Sequence, residues 1–284
     1  MSAHETDAPA AAAGELTLGG DLIVSRLGYG AMRITGDGIW GEPADPDGAR
    51  AVLNRALELG VNFIDTADSY GPEVSERLIA EALHPYPEDL VIATKGGLVR
   101  DGPGRWRANC RPDHLREACE GSLRRLRVEP IDVYQLHTVD SDVPLAESVG
   151  TLAELQQEGK IRHVGVSNQS VEQLAESSEI VDVVSAQNRF SLSDRNSEDV
   201  LDACERQSIA FIPWFPLAAG DAAKAGELDR VAEAHDATPA QVALAWLLQR
   251  SPAMLPIPGT SSVEHLEENV AAAEIDLGDD AVEI

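Results

Sequence analysis

The feature that most constrains this chain is an alternation of short apolar segments with helix-like segments, repeated eight times along the sequence. The apolar segments have the length of buried strands, and the segments between them have the length of helices. Such an alternation is typical of parallel β-α units, in an open doubly wound sheet or in a closed barrel. The predicted strands are 26–32, 62–65, 90–95, 131–137, 163–167, 183–188, 210–215 and 254–258. The predicted helices are 46–59, 74–83, 112–126, 144–158, 171–177, 195–207 and 239–249, with an additional helix at 228–235.

Polar residues at the strand ends distinguish the two folds. The second predicted strand ends at Asp65 and leads to Tyr70, the third ends at Lys95, and the fourth ends at His137. In a barrel, all eight carboxyl ends meet at one mouth, whereas in an open sheet only the strands at the switch point carry a site. Because nearly every predicted strand ends in such a residue, the sequence predicts a (β/α)8 TIM barrel.

The beginning of the chain predicts two further features. Residues 15–18 and 21–24 flank Gly19-Gly20 and predict a β-hairpin that caps the closed end of the barrel. Residues 1–14 are rich in alanine and acidic residues, which favours a disordered tail rather than a signal peptide or a membrane anchor. No linker divides the remainder, so we expect one barrel domain at 15–284.

Composition limits the partners of the chain. The net charge is -27, from 22 basic and 49 acidic residues, and only three of the basic residues are lysines. This balance argues against nucleic acid and favours a halophilic cytoplasm, where salt screens the repulsion between carboxylates. The three cysteines, Cys110, Cys119 and Cys204, have neither C-x-x-C spacing nor neighbouring histidines, so the sequence predicts no metal site and no disulfide framework. We therefore expect a cytoplasmic protein, a monomer or small homo-oligomer, with no membrane partner.

The residue types at the strand ends suit proton transfer to a carbonyl oxygen. A tyrosine hydroxyl has a pKa of about 10, and a nearby ammonium group lowers that pKa. We expect Lys95 to act in this way on Tyr70, Asp65 to orient Lys95, and His137 to orient a substrate oxygen or to relay a proton. A structural ion pair, a packed tyrosine and a buried structural histidine are the alternatives.

These four residues stand in motifs that resemble the aldo-keto reductase superfamily. The motifs are NFIDTADSYG, VIATKGG and VYQLH, and the resemblance continues through VGVSN, SAQNRFSL, WFPL and IPGTSSVEHLEENV. The match extends from about residue 26 to about residue 273, and GYGAM, WFPL and IPGTSSVEHL are similar to the branch of pyridoxal reductases and pyridoxine 4-dehydrogenases. The resemblance implies NADP(H)-dependent reduction of an aldehyde or ketone, with Tyr70 as the general acid. The proline that commonly follows the family's histidine is missing after His137.

A second group of polar residues suits a nicotinamide cofactor. Ser167, Asn168 and Gln187 have hydroxyl and amide groups that can pair with both ends of a carboxamide, although the residues alone favour loop polarity and capping, and only the resemblance reverses that preference. Ser261 and Glu264 form a capping-box pattern, which predicts a helix start able to accept a phosphate. The resemblance implies a cofactor site built from Gly30, Ala31, Met32, Ser167, Asn168, Gln187, Trp214, Pro216, Leu217, Gly259, Thr260, Ser261, His265, Glu268 and Asn269.

The cofactor and substrate classes are narrowed by four positions. Gly259 and His265 replace a lysine and an arginine that often hold the 2′-phosphate in this family, so NAD stays open beside the preferred NADP. Trp40, with Trp106 in the loop after Lys95, predicts the wall of a substrate pocket for a flat carbonyl compound, and the arginines of that loop, Arg100 among them, could attract an anionic one. A solvated loop with incidental packing explains these residues equally well.

Two other functions fit parts of the pattern. Some resembling proteins act as cofactor-sensing regulatory subunits with slow turnover. A barrel enzyme that acts on sugar phosphates is a further alternative, which the carboxamide-type residues disfavour, since the fold alone hosts many chemistries.

Overall fold

The computed structural model describes residues 8–217 and 225–278, and its centre is a curled sheet of seven parallel strands. The strands are β1 (Glu15–Leu18), β2 (Leu22–Ser25), β3 (Tyr29–Gly30), β4 (Phe63–Asp65), β5 (Val91–Gly96), β6 (Leu98–Gly102), β7 (Arg105–Ala108), β8 (Ile131–Leu136), β9 (Ile161–Ser167), β10 (Val183–Arg189) and β11 (Ala210–Trp214). The central sheet has the order β11-β10-β9-β8-β5-β4-β3. Its strands are apolar because helices cover the outer face and packed side chains fill the inner face.

The predicted eighth strand joins the two edges of this sheet. On one side, Phe211 N donates to Ala253 O (2.8 Å) and Leu255 N donates to Phe211 O (2.9 Å). On the other side, Gly28 N donates to Pro256 O at 2.9 Å. The segment forms only an isolated bridge instead of a regular strand, because its two prolines have no N–H group for a ladder. These bonds close the sheet, and the predicted (β/α)8 barrel is confirmed.

Helices follow the strands in the predicted order. They are α1 (Pro46–Glu58), α2 (Val74–Leu83), α3 (Pro112–Leu126), α4 (Leu145–Gln157), α5 (Val171–Ile180), α6 (Glu198–Gln207), α7 (Ala225–Ala234), α8 (Pro239–Arg250) and α9 (Val263–Ala271). Polar side chains cap the starts of two of these helices. Asp45 Oδ1 accepts from Gly48 N (2.9 Å) at α1, and Thr238 and Gln241 form a capping box at α8. A short 3₁₀ helix at Ala31–Ile34 follows β3 and was not predicted.

The β1–β2 hairpin closes one end of the barrel, as the sequence predicted. Its turn uses Gly19 and Gly20 with φ angles of 60° and 85°, which glycine adopts at little cost. Leu18, Leu22 and Val24 pack into the same buried cluster as apolar side chains from the barrel strands. The hairpin therefore covers the end of the barrel that lies opposite the carboxyl ends of the strands.

The tail prediction is wrong for the part of residues 1–14 that the structure describes. Pro9–Ala13 forms a 3₁₀ helix in which Ala10 is fully buried. Ala10 N donates to Leu59 O (3.0 Å), and Ala10 O accepts from Ser25 Oγ (2.8 Å). Composition could not reveal these contacts because they join segments that are distant in sequence. Residues 1–7 lie outside the described part of the chain.

A second hairpin, formed by β6 and β7, stands at the open end of the barrel. The sequence analysis treated this segment as a loop. Arg100 is the register partner of Trp106, and Gly102 and Gly104 have positive φ angles on either side of Pro103. The hairpin directly follows β5, so it brings its side chains to the mouth beside Lys95.

Within 8–217 and 225–278, no helix has the length and apolarity needed to cross a membrane, and no group of three or more His, Cys, Asp or Glu side chains is arranged to hold a metal ion. The three cysteines are unbridged and buried.

Barrel closure can be tested at Tyr29, whose fully buried hydroxyl donates to Thr260 O at 2.5 Å across the joined edges. Tyr29→Phe leaves that carbonyl without its donor. We expect the free energy of unfolding to fall by about 1–2 kcal/mol, since a buried group that loses its partner retains its desolvation penalty. Urea denaturation followed by circular dichroism measures this change.

Tyr134→Phe is the matched control. The Tyr134 hydroxyl is also fully buried, but it has no partner among the described residues. We expect this variant to be as stable as the wild type or more stable. Equal destabilisation by the two substitutions would contradict a role for the Tyr29 bond in closure.

Candidate active site

The central contact of the mouth is a fully buried ion pair between neighbouring strands. Lys95 Nζ, near the end of β5, donates to Asp65 Oδ1 (2.5 Å) at the end of β4, and to Thr66 O (2.8 Å). Asp65 Oδ2 accepts from Gln135 Nε2 (2.8 Å) and from Gln187 Nε2 (3.0 Å). A buried charge pair is stable only when its remaining donors and acceptors are hydrogen-bonded. Here the turn after β4, strand β8 and strand β10 supply those partners.

Tyr70 and His137 lie above this pair. The Lys95 ammonium nitrogen is 5.2 Å from the centroid of the Tyr70 ring. The rings of Tyr70 and His137 meet edge to face with centroids 5.8 Å apart, and Ser69 Oγ lies 3.4 Å from His137 Nδ1. The structure therefore brings together all four residues that the sequence analysis selected for proton transfer.

The direction of the Tyr70 pKa differs from our expectation. Burial of the ring raises the pKa of Tyr70 more than the positive charge of Lys95 lowers it, so the pKa lies above its usual value. Burial also lowers the pKa of Lys95, but the attraction of Asp65 and Tyr70 outweighs burial and raises it. At neutral pH the site therefore holds a charged lysine beside a protonated tyrosine, which is the state that can donate a proton.

His137 is the neutral member of the group. Burial first, and the nearby charge of Lys95 second, lower the pKa of His137 well below its usual value. A neutral imidazole can donate one hydrogen bond from one nitrogen while the other nitrogen accepts. It can therefore orient a substrate oxygen at neutral pH without adding a second positive charge.

These residues open into a cavity of about 510 Å³. Most of the predicted site residues line it: Gly30, Met32, Asp65, Tyr70, Trp106, His137, Ser167, Asn168, Gln187, Trp214, Pro216, Leu217 and Gly259. Lys95 and Ala31 are fully buried behind this surface. The other predicted site residues do not line the cavity: Trp40, Thr260, Ser261, His265, Glu268 and Asn269.

The three carboxamide-type residues form a connected group with a tryptophan. Ser167 Oγ donates to Gln187 O (2.7 Å), Asn168 Nδ2 donates to Ser167 Oγ (3.0 Å), and Trp214 Nε1 donates to Asn168 Oδ1 (2.9 Å). These bonds fix the Trp214 ring at the cavity wall. The Gln187 amide nitrogen is bound to Asp65, and no described residue donates to its oxygen, which is free to accept from a ligand.

The start of α9 differs from the predicted capping box. Ser262, and not Ser261, is the N-cap: its Oγ accepts from His265 N at 3.3 Å. Ser262 N in turn donates to Thr260 Oγ1 at 3.0 Å, which turns the chain one residue later than the pattern indicated. Glu268 Oε1 accepts from Thr238 Oγ1 (2.6 Å) and so joins α9 to the cap of α8.

Five other residues line the cavity: Arg33, Leu98, Phe215, Ile257 and Pro258. Phe215 is 45% exposed with a φ of 61°, which turns its ring outward after β11. Arg33 is exposed on the unpredicted 3₁₀ helix, and no carboxylate of the described residues pairs with it. Its position after GYGAM was the available signal, because that loop was expected to approach the cofactor.

Steric contact restricts position 259, beside Arg33, to glycine. A methyl group built on Gly259 would lie 2.6 Å from Gly30 O and 3.6 Å from Arg33 Cγ. The first distance is shorter than any real contact, so only glycine fits at position 259 while the two backbones are this close. The Arg33 side chain therefore lies next to position 259, where the resemblance implied a missing lysine.

The expected anion-attracting role of Arg100 is not supported. Its Nη atoms donate to carbonyl oxygens of Ile39 (2.6 Å), Gly38 (2.8 Å) and Ser69 (3.3 Å). These donors are thus occupied by the backbone of the mouth.

Comparison with known proteins identifies one family. The sequence profile of the Aldo/keto reductase family matches residues 26–284. An uncharacterized oxidoreductase of Schizosaccharomyces pombe is 55% identical over 259 residues, 91% of this chain and 84% of that protein. A pyridoxine 4-dehydrogenase of Escherichia coli is 43% identical over 269 residues, 93% of this chain and 94% of that protein. The structure of an aldo-keto reductase from Klebsiella pneumoniae in complex with NADPH superposes with a TM-score of 0.80 at 29% identity, covering 95% of this chain and 92% of that one.

The match over residues 26–284 shows that the chain belongs to the aldo/keto reductase family, a family of oxidoreductases.

The neutral state of His137 can be tested through stability. The folded protein resists protonation of His137, whereas the unfolded chain binds that proton below about pH 6.5. The unfolded state then binds more protons, so stability falls as the pH falls below about 6.5, by at most about 1.4 kcal/mol per pH unit for this one group. We expect His137→Gln to remove that loss. Urea denaturation between pH 7.5 and 5.5 measures it.

The matched control is His84→Gln, which removes an exposed histidine. We expect it to retain the pH dependence of the wild type. A pH dependence in His137→Gln identical to that of the wild type would show that His137 is protonated in the folded protein.

Proposed function

We propose that this protein is an NADPH-dependent reductase of aldehydes and ketones, with pyridoxal-like aromatic aldehydes as its substrate class. The observation that carries the proposal is the Tyr70 ring at an open cavity, above a lysine that is buried and paired with Asp65. Such a tyrosine, with a charged amine beneath it and a neutral imidazole beside it, is suited to donate a proton to a carbonyl oxygen.

The chemistry divides between the cofactor and the chain. A bound NADPH supplies the hydride for the carbonyl carbon. Tyr70 is protonated at neutral pH and gives its proton to the carbonyl oxygen, and the fixed charge of Lys95 stabilises the phenolate that Tyr70 leaves behind. Asp65 and its two glutamine donors keep Lys95 charged and in place.

His137 orients the substrate in this scheme. Ser69 contacts its Nδ1, so Nε2 is the nitrogen available to the carbonyl oxygen. Because His137 is neutral, it positions that oxygen near Tyr70 without competing as an acid.

Three features of the cavity fit a nicotinamide cofactor. The side-chain oxygens of Gln187 and Asn168 offer acceptors for the NH2 group of a carboxamide, and the fixed Trp214 ring offers a flat surface for a heterocycle. Arg33 supplies a cation for a phosphate beside Gly259. The NADPH complex of the Klebsiella pneumoniae relative supports the choice of NADP over NAD.

The substrate class rests on two observations. Trp106 lines the cavity and contacts both Tyr70 and His137 edge to face, with centroid distances of 6.4 Å in each case. A flat aromatic aldehyde can stack on such a wall while its carbonyl oxygen reaches Tyr70. The pyridoxine 4-dehydrogenase among the relatives suggests pyridoxal as the first compound to assay.

Tyr70→Phe tests the proposed acid. We expect kcat for pyridoxal and for a simple aromatic aldehyde to fall by about 10²- to 10⁴-fold, the usual range for a general acid, because no other group replaces the proton donor. The Kd for NADPH, measured by fluorescence titration, stays within about twofold because Tyr70 contributes no charge to cofactor binding. Tyr134→Phe, which removes a buried hydroxyl outside the site, retains wild-type kcat.

The assay is run in molar potassium chloride. Its outcomes test the role of Tyr70 and distinguish a reductase from the regulatory alternative. Full turnover by Tyr70→Phe excludes Tyr70 as the acid. A wild-type protein that binds NADPH tightly but reduces no carbonyl compound from a broad panel contradicts the reductase and favours the regulatory alternative.

Arg33→Gln tests the proposed phosphate contact. An exposed guanidinium–phosphate contact contributes about 1 kcal/mol, so we expect the Kd for NADPH to rise about fivefold. Arg206→Gln on α6 removes the same charge away from the cavity and should leave the Kd unchanged. An equal effect of both variants would indicate a general charge effect. Parallel titration with NADH distinguishes the 2′-phosphate from the phosphates that both cofactors share.

A further inference from the structure

Arg100 connects three segments of the mouth. It lies on β6, and its guanidinium donates to Gly38 O (2.8 Å) and Ile39 O (2.6 Å) in the loop after the 3₁₀ helix at Ala31–Ile34. The same group donates to Ser69 O at 3.3 Å, one residue before Tyr70. One side chain thus joins the β6–β7 hairpin to the first loop and to the Tyr70 turn.

The face of the Arg100 guanidinium is packed between two tryptophans. Its central carbon lies 3.7 Å from the centroid of the Trp106 ring and 5.7 Å from that of the Trp40 ring. Trp106 is the register partner of Arg100 on β7 and is 37% exposed, so part of its ring faces solvent. The short distance to Trp106 is typical of a stacked cation–π contact, which orients both planes.

The arrangement explains why this arginine is not a binding site for an anion. Its Nη donors are directed to carbonyl oxygens, and among the described residues it forms no salt bridge. An arginine held by carbonyl oxygens and two rings therefore acts on its neighbours and not on a ligand. The neighbour that faces the cavity is Trp106, whose ring edge contacts Tyr70 and His137.

We propose that Arg100 is a positioning residue that holds the Trp106 ring as a fixed wall of the substrate pocket, and that this wall gives the site its preference for planar aromatic carbonyl compounds. The inference rests on the proposed reductase function and extends it to a residue that contacts neither substrate nor cofactor. Lysine cannot replace Arg100, because a lysine has one point charge and no planar group to stack on Trp106 while donating to both loops.

The first test compares Arg100→Lys with the wild type on two substrates, an aromatic aldehyde and a small aliphatic aldehyde. We expect KM for the aromatic aldehyde to rise about tenfold, because the stacking wall is lost, while kcat changes by about twofold or less. KM for the aliphatic aldehyde should change little. A merely structural role would reduce kcat/KM for both substrates by the same factor, and that result would overturn the proposal.

Arg107→Lys is the matched control, since Arg107 lies on the same hairpin and its Nε contacts only the exposed carboxylate of Asp101 at 3.4 Å. We expect it to behave as the wild type with both substrates. Trp106→Leu should reproduce the loss of aromatic preference, and adding Arg100→Lys to it should cause little further change, because both substitutions remove the same wall. Additive losses would contradict the proposal.

A second measurement does not depend on turnover. With 5-fluorotryptophan in place of the four tryptophans, the ¹⁹F resonance of each ring is assigned by single Trp→Phe substitutions. We expect Arg100→Lys to shift or broaden the resonances of Trp40 and Trp106 and to leave those of Trp214 and Trp246 unchanged. Unchanged Trp106 resonances would overturn the proposal. A wild-type protein without reductase activity but with these shifts would instead reject the proposed function and keep the positioning role.

Discussion

The buried pair of Lys95 and Asp65 is the contact on which the mouth of the barrel depends. Neither charge is exposed to solvent, so the pair is stable only because Thr66 O, Gln135 and Gln187 complete its hydrogen bonds. Those partners come from β8, β10 and the turn after β4. The pair therefore fixes the relative positions of four strands at their carboxyl ends, and the Tyr70 turn rests directly on it.

The same burial determines the chemistry that the site can perform. Removal of water raises the pKa of Tyr70 and lowers that of His137, while the pair keeps Lys95 charged. The result is a protonated tyrosine that lies next to both a cationic lysine and a neutral histidine. These protonation states suit delivery of a proton to a carbonyl oxygen, in agreement with the family to which the chain belongs.

Two hairpins give the barrel its two different ends. The β1–β2 hairpin fills one end with apolar side chains, and the β6–β7 hairpin places Arg100 and Trp106 at the other. The sequence predicted the first because Gly-Gly between alternating segments is a strong local signal. The second was missed, since its strands are short and nearly all of its residues are partly or fully exposed, and its structure depends on carbonyl partners in loops that are distant along the chain.

The sequence by itself determined the barrel and the four residues of its centre, because strand periodicity and polar strand ends are local patterns that survive without knowledge of contacts. Only the tertiary structure decided the rest: the ordered 3₁₀ helix within the predicted tail, the cap at Ser262 and the presence of Arg33 beside Gly259. It also reversed the expected direction of the Tyr70 pKa. These features share one physical reason. Each depends on burial or on a contact between segments that are remote in sequence, and neither is encoded in the local pattern of residues.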